Sequence, residues 1–162
     1  MKKDPGLWRK IERLELDDPE ADLTFSGRLA RENGWSLEFA LGAIEEYKRF
    51  IYLICVSNSA LTPSDEVDQV WHLHLLYTES YWDELCTEIL GRKIHHGPTK
   101  GGNKEREKFE VMYERTLRNY EEDFGISAPV EYWPCVKNRF SDIHFRRTNT
   151  KTNWIIPKPF FL

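Results

Sequence analysis

The stretch Thr62–Leu90 constrains the fold more than any other part of the chain. Thr62-Pro63-Ser64-Asp65 offers a capping Thr, Pro at the first helical position and an acid three residues on, the signature of a helix start. Val67, Val70, Trp71, Leu73, Leu75, Leu76, Tyr77, Tyr81, Trp82 and Leu85 then make the helix apolar nearly all round, and Leu90-Gly91 ends it. Such a helix has no face to give to water. It belongs at the centre of a helical packing, covered on several sides.

A few polar groups interrupt that surface. At about 100° per residue, Asp68 and His72 lie one turn apart on one face, and Glu79 and Asp83 continue it within about 60°. His74 falls about 200° from His72, so a regular helix cannot give both histidines to one ion. The spacing leaves open whether Trp71 and His74 belong to a site or to the core. Directly after the helix comes a loop, Arg92–Gly102 (RKIHHGPTKGG), that carries His95 and His96. Folded back along the helix, it brings one of them to Asp68 and His72. Two imidazoles and a carboxylate with an open position suit Zn²⁺ or Fe²⁺, because the carboxylate offsets charge and the open position admits water or substrate. Asp68, His72, His95 and His96 are therefore the candidate metal ligands, with Glu79 as the base if bound water is activated. A structural His–Asp hydrogen bond explains the Asp68–His72 spacing equally well. The spacing matches neither HExxH, nor Cys₂His₂, nor the Glu-x-x-His di-iron pattern. In the same loop Thr99 and Lys100, among glycines and before a helix N-terminus, are candidate contacts for an anionic ligand; a flexible turn has the same composition.

The remaining helices follow from caps and periodicity. Asp4-Pro5 opens Leu7–Leu16, which Asp17-Asp18-Pro19 stops. A short helix from about Leu23 to Glu32 ends at Asn33-Gly34. Ser36 caps Leu37–Val56, whose Phe39, Ala43, Tyr47, Phe50 and Ile54 face inward while Glu45, Glu46, Lys48 and Arg49 sit on the other side. A last helix, roughly Lys104–Asp123, aligns Phe109, Met112, Tyr113, Leu117 and Tyr120 on one stripe. The expectation is an all-α domain of about five helices over residues 1–126. From residue 127 onward the chain has four Pro, scattered aromatics and no helical period. Six Lys/Arg against two Asp/Glu make it +4, while the rest of the chain carries −8. Residues 127–162 therefore read as an extended arm packed on the same domain, with a protein partner as a second use for its basic surface.

Composition narrows the classes. With 40% hydrophobic and 31% charged residues in a chain of 162, a core can form. The net charge of −4 makes nucleic acid an improbable partner. The longest apolar run, Phe50–Val56, is far too short for a membrane span. No apolar stretch follows the N-terminal lysines, so no signal peptide is expected. Cys55, Cys86 and Cys135 form no CxxC pair, which points to a reduced, cytoplasmic chain.

FSGRLARENGWS (25–36), EEYKRFIYL (45–53), TPSDEVDQVWHLHLLYTESYW (62–82) and LGRKIHHGPTKGG (90–102) resemble the glycine-rich domain-containing protein-like family, and YERTLRNYEEDFG (113–125) and YWP (132–134) continue the likeness. The WHxH core followed by a loop histidine is its most specific part. The resemblance implies that Asp68, Trp71, His72, His74 and His95 or His96 occupy motif positions. It assigns no activity. Long plant and fungal members carry a glycine-rich region; with nine Gly and no such tract, this chain resembles a stand-alone bacterial-type member.

Three readings of function follow. The first is a cytoplasmic small-ligand or partner-binding, regulatory domain whose polar pocket lies between the fourth helix and the HHGPTKGG loop. The second is a metal-dependent enzyme, hydrolytic in type. The third is an interaction scaffold in which the histidines are structural.

Overall fold

The computed structural model describes residues 2–97, 101–141 and 148–156. Among them there are helices and no strands: α1 (Pro5–Glu12), α2 (Phe25–Asn33), α3 (Leu37–Val56), α4 (Asp65–His74), a π-helix (Glu79–Ile89), α5 (Asn103–Phe124) and the one-turn α6 (Val136–Arg139). The class is all-α.

Local chemistry sets most of the helix ends. Asp4, Thr24 and Ser36 each accept a backbone N–H in the first turn of α1, α2 and α3. Gly34 and Gly125 close α2 and α5 in the left-handed conformation, at φ 69° and 71°. The chain leaves α1 at Glu12, earlier than the expected Leu16, because Leu14 turns into the core at 2% exposure.

The helix at the centre is α3, which touches α1, α2, α4 and α5. It is buried on more sides than its periodicity suggests. Tyr47, Phe50 and Leu53 form the inner face, yet Glu46 and Lys48, expected on the solvent side, are only 3% and 6% exposed. Both face later or earlier parts of the chain. Glu46 accepts from Trp133 Nε1 at 2.8 Å and from Arg49 at 2.6 Å. Lys48 donates to Glu45 at 2.9 Å and to the Glu12 carbonyl at 3.3 Å. Long-range packing thus overrides the local amphipathic pattern.

The expected fourth helix does not run unbroken from Thr62 to Leu90. Its cap is Ser64, whose Oγ accepts from Val67 N–H at 3.2 Å. Thr62 instead ties the preceding strand of chain to α5: Thr116 Oγ1 donates to its carbonyl at 2.9 Å. α4 ends at His74, where tight i→i+3 bonds from Leu76 and Tyr77 stop the α pattern. The chain then re-forms as the π-helix, an element usually limited to a single turn. There, Leu90 N–H reaches the Leu85 carbonyl and Thr87 Oγ1 donates to the Trp82 carbonyl, five residues back in each case. Glu79 and Asp83, expected to continue the face of Asp68 and His72, lie beyond this break in the π-helix, and both are exposed.

The arm is attached through residues 128–140 and is not wholly extended there, since it contains α6. Trp133 is buried against Tyr113, Tyr120 and Phe50. Arg139 pairs with Asp65 at 2.5 Å and donates to the Pro63 carbonyl at 3.1 Å, which fastens α6 to the start of α4. The packing expected of the arm does not extend to Trp154, which is 97% exposed. Phe160, Phe161 and His144 lie outside the described residues. None of the described helices is long and apolar enough to cross a membrane.

Candidate functional site

The two histidines of α4 part company as their spacing requires. His74 is completely buried. Tyr47 Oη lies 2.8 Å from its Nδ1 and Ser80 Oγ 3.2 Å from its Nε2. Ser80 in turn donates to Glu84 at 3.2 Å. A carboxylate can only accept, so Ser80 must accept from His74 Nε2–H, which leaves Nδ1 to accept from the Tyr47 hydroxyl. Every donor in the chain is used once. Burial pulls the His74 pKa down to about 4, so the ring is neutral. His74 is a core histidine that joins α3, α4 and the start of the π-helix.

His72 points the other way, with its side chain half exposed, one turn from Asp68. His96 reaches the same carboxylate from the loop. Its Nε2 lies 2.7 Å from Asp68 Oδ1, and His72 Nε2 lies 3.6 Å from Asp68 Oδ2. The two imidazole rings are 4.6 Å apart. The ligand atoms of Asp68, His72 and His96 all fall within 4.8 Å of one another.

A buried relay sets the path of the loop. Trp71 Nε1 donates to Tyr81 Oη at 2.9 Å, and Tyr81 Oη donates to the Ile94 carbonyl at 2.8 Å. Ile94 itself is 5% exposed. With this residue plugged into the core, His96 lands over α4 with its ring edge-on to Trp71 at 4.5 Å. His95 points away, exposed and 5.7 Å from the Trp82 ring, and takes no place in the cluster.

The cluster borders a cavity of about 700 Å³. α4 and the loop supply part of its lining, through Asp68, Trp71, His72, His95 and His96. The other walls come from α5, with Glu105, Arg106, Phe109 and Met112, and from Arg139 and Phe140 at α6. Phe109 and Met112 lie on the apolar stripe that spacing gives the last long helix, but that stripe alone does not separate cavity wall from core, and nothing local marks Phe140. Glu79 is exposed beyond the break and does not line the cavity. Thr99 and Lys100 lie outside the described residues, although Gly97 and Gly101 on either side border the cavity.

Fold and site together define a helical domain in which a His/Asp cluster opens onto a largely apolar cavity. Residues 36–119 match the family model described as UCP032817-like, and the chain belongs to that family. The matched span contains Asp68, His72 and His96 and stops short of Arg139 and Phe140. Glycine-rich domain-containing proteins 1 and 2 of Arabidopsis thaliana are each 29% identical to it over 100 residues, 59% of this chain. The match covers 12% of the length of each of those relatives. No solved structure matches.

Proposed function

We propose that this chain is a small-ligand-binding domain that holds a divalent metal ion at the polar end of its cavity, on Asp68, His72 and His96. The observation that carries the reading is the convergence of three ligand atoms, from two elements, within 4.8 Å at the edge of the cavity. Two ligands at about 2.1 Å from a tetrahedral ion stand roughly 3.4 Å apart, so small side-chain movements suffice to seat one. Imidazole and carboxylate suit Zn²⁺ and Fe²⁺, and a three-ligand set leaves positions open for water or a ligand from the cavity. Binding is preferred here to hydrolysis because Glu79, the base expected from the sequence, is exposed and does not border the cavity. The scaffold reading describes His74 well and His72 poorly, since a half-exposed imidazole contributes little to a core.

His72→Ala separates the readings. The side chain is 49% exposed, so its removal changes the stability of the metal-free protein by no more than about 0.5 kcal/mol. In a calorimetric titration with Zn²⁺, wild type is expected to bind one ion and His72→Ala to bind at least about tenfold more weakly. Equal binding by the two proteins refutes the assignment.

A further inference from the structure

The cavity beyond the cluster says what kind of ligand would share the ion. Trp71 on α4, Phe109 and Met112 on α5, and Phe140 just after α6 border it. Trp71 is buried and the other three are half-buried, so each presents apolar surface that a ligand can cover. The volume, about 700 Å³, lies within the range of pockets that enclose a whole small molecule.

Charge selects the head group. A divalent ion held by two neutral imidazoles and the Asp68 carboxylate keeps one net positive charge. Against apolar walls that charge is poorly solvated, and a monoanionic oxygen donor neutralises it. A neutral donor leaves the charge in place, and a dianion reverses it. The other charged groups on the wall carry counter-ions of their own: Arg106 gives its Nε to Glu110 at 2.9 Å, Glu105 accepts from Lys108 at 3.4 Å and Arg139 pairs with Asp65.

We infer that the cavity takes a monocarboxylate with an apolar body, its carboxylate on the ion held by Asp68, His72 and His96 and its body against Trp71, Phe109, Met112 and Phe140. The inference rests on the metal-binding reading proposed above.

The test uses the full chain loaded with Co²⁺, whose visible absorption reports changes in its ligands. Octanoate, acetate and octanamide are titrated in parallel, and octanoate is also titrated into the metal-free chain. Octanoate is expected to change the Co²⁺ absorption and to bind at least about thirtyfold more tightly than acetate. Each buried methylene contributes about fourfold, and octanoate has six more than acetate, so thirtyfold requires fewer than half of them to be covered. Octanamide, and octanoate without the ion, are expected to bind at least about tenfold more weakly. Equal affinity for acetate and octanoate overturns the apolar part of the inference. Equal affinity for octanamide, or for octanoate without the ion, overturns the carboxylate–ion contact. If the chain takes up one Co²⁺ and octanoate leaves its absorption unchanged, only this inference fails. If it takes up none, the metal reading fails first and this one with it.

Discussion

His72 and His74 show how two positions along a helix separate chemistry from architecture. His72 faces the cavity edge, whereas His74 is held neutral among Tyr47, Phe25 and Tyr81. The pKa of His74 is lowered from an ordinary 6.5 to about 4. Between those values the unfolded chain binds a proton that the folded chain refuses. This contribution to stability is therefore complete above about pH 6.5 and is lost as the pH falls towards 4, to a total of roughly 3 kcal/mol. His74→Phe keeps the aromatic contacts but leaves the Tyr47 hydroxyl without its acceptor, which costs about 1–3 kcal/mol at pH 7. In urea unfolding the gap between wild type and His74→Phe is expected to narrow from pH 6.5 to pH 4. A gap independent of pH contradicts the buried neutral ring.

Among the elements, α3 was legible at both ends, Leu37–Val56 with Ser36 as its cap, because caps are local chemistry. The break after α4 was not. It depends on Tyr47 lying 27 residues away, on a buried histidine and on Ser80 across the turn, none of which a period of 3.6 encodes. The candidate site divides in the same way. Asp68 and His72 could be paired from helical spacing, whereas the choice of His96 over His95 needed the fold of the loop. That choice is made by the relay from Trp71 through Tyr81 to Ile94. Tyr81→Phe removes one oxygen and leaves the Trp71 N–H and the Ile94 carbonyl without their partner, both buried, so a loss of about 2 kcal/mol is expected. Because His96 hangs from Ile94, Zn²⁺ affinity should fall together with stability. Unchanged affinity, measured under conditions where the variant is fully folded, shows that the relay does not place His96.

At the scale of the whole molecule, the arm explains what helical patterning alone could not. Burial of Glu46 on α3 makes sense only once Trp133 and Tyr120 are in place, and those partners are 87 and 74 residues away in sequence. Gly42 on α3 has a similar origin. A Cβ there would meet Tyr132 of the arm 2.6 Å from Cζ and closer still to the hydroxyl. Gly42→Ala therefore gains about 1 kcal/mol of helix propensity but costs about 1–3 kcal/mol in overpacking, a net loss of about 1 kcal/mol. In a Tyr132→Ala background the same substitution is expected to stabilise, and a double-mutant cycle by thermal unfolding reads the change of sign. A loss of the same size in both backgrounds shows that Tyr132 does not pack on Gly42.

The arm also forms part of the cavity wall, through Arg139 at the end of α6 and Phe140 just after it. Helices, loop and arm thus converge on the cavity beside the Asp68–His72–His96 cluster, where a metal ion is proposed to bind. The most direct measurement is elemental analysis of the untagged chain after equilibrium dialysis against Zn²⁺ or, without oxygen, Fe²⁺, with Asp68→Asn and His96→Ala alongside. Close to one ion per wild-type chain is expected, and a small fraction of that in either variant. No ion in the wild type, or the same occupancy in all three proteins, contradicts a metal site on Asp68, His72 and His96.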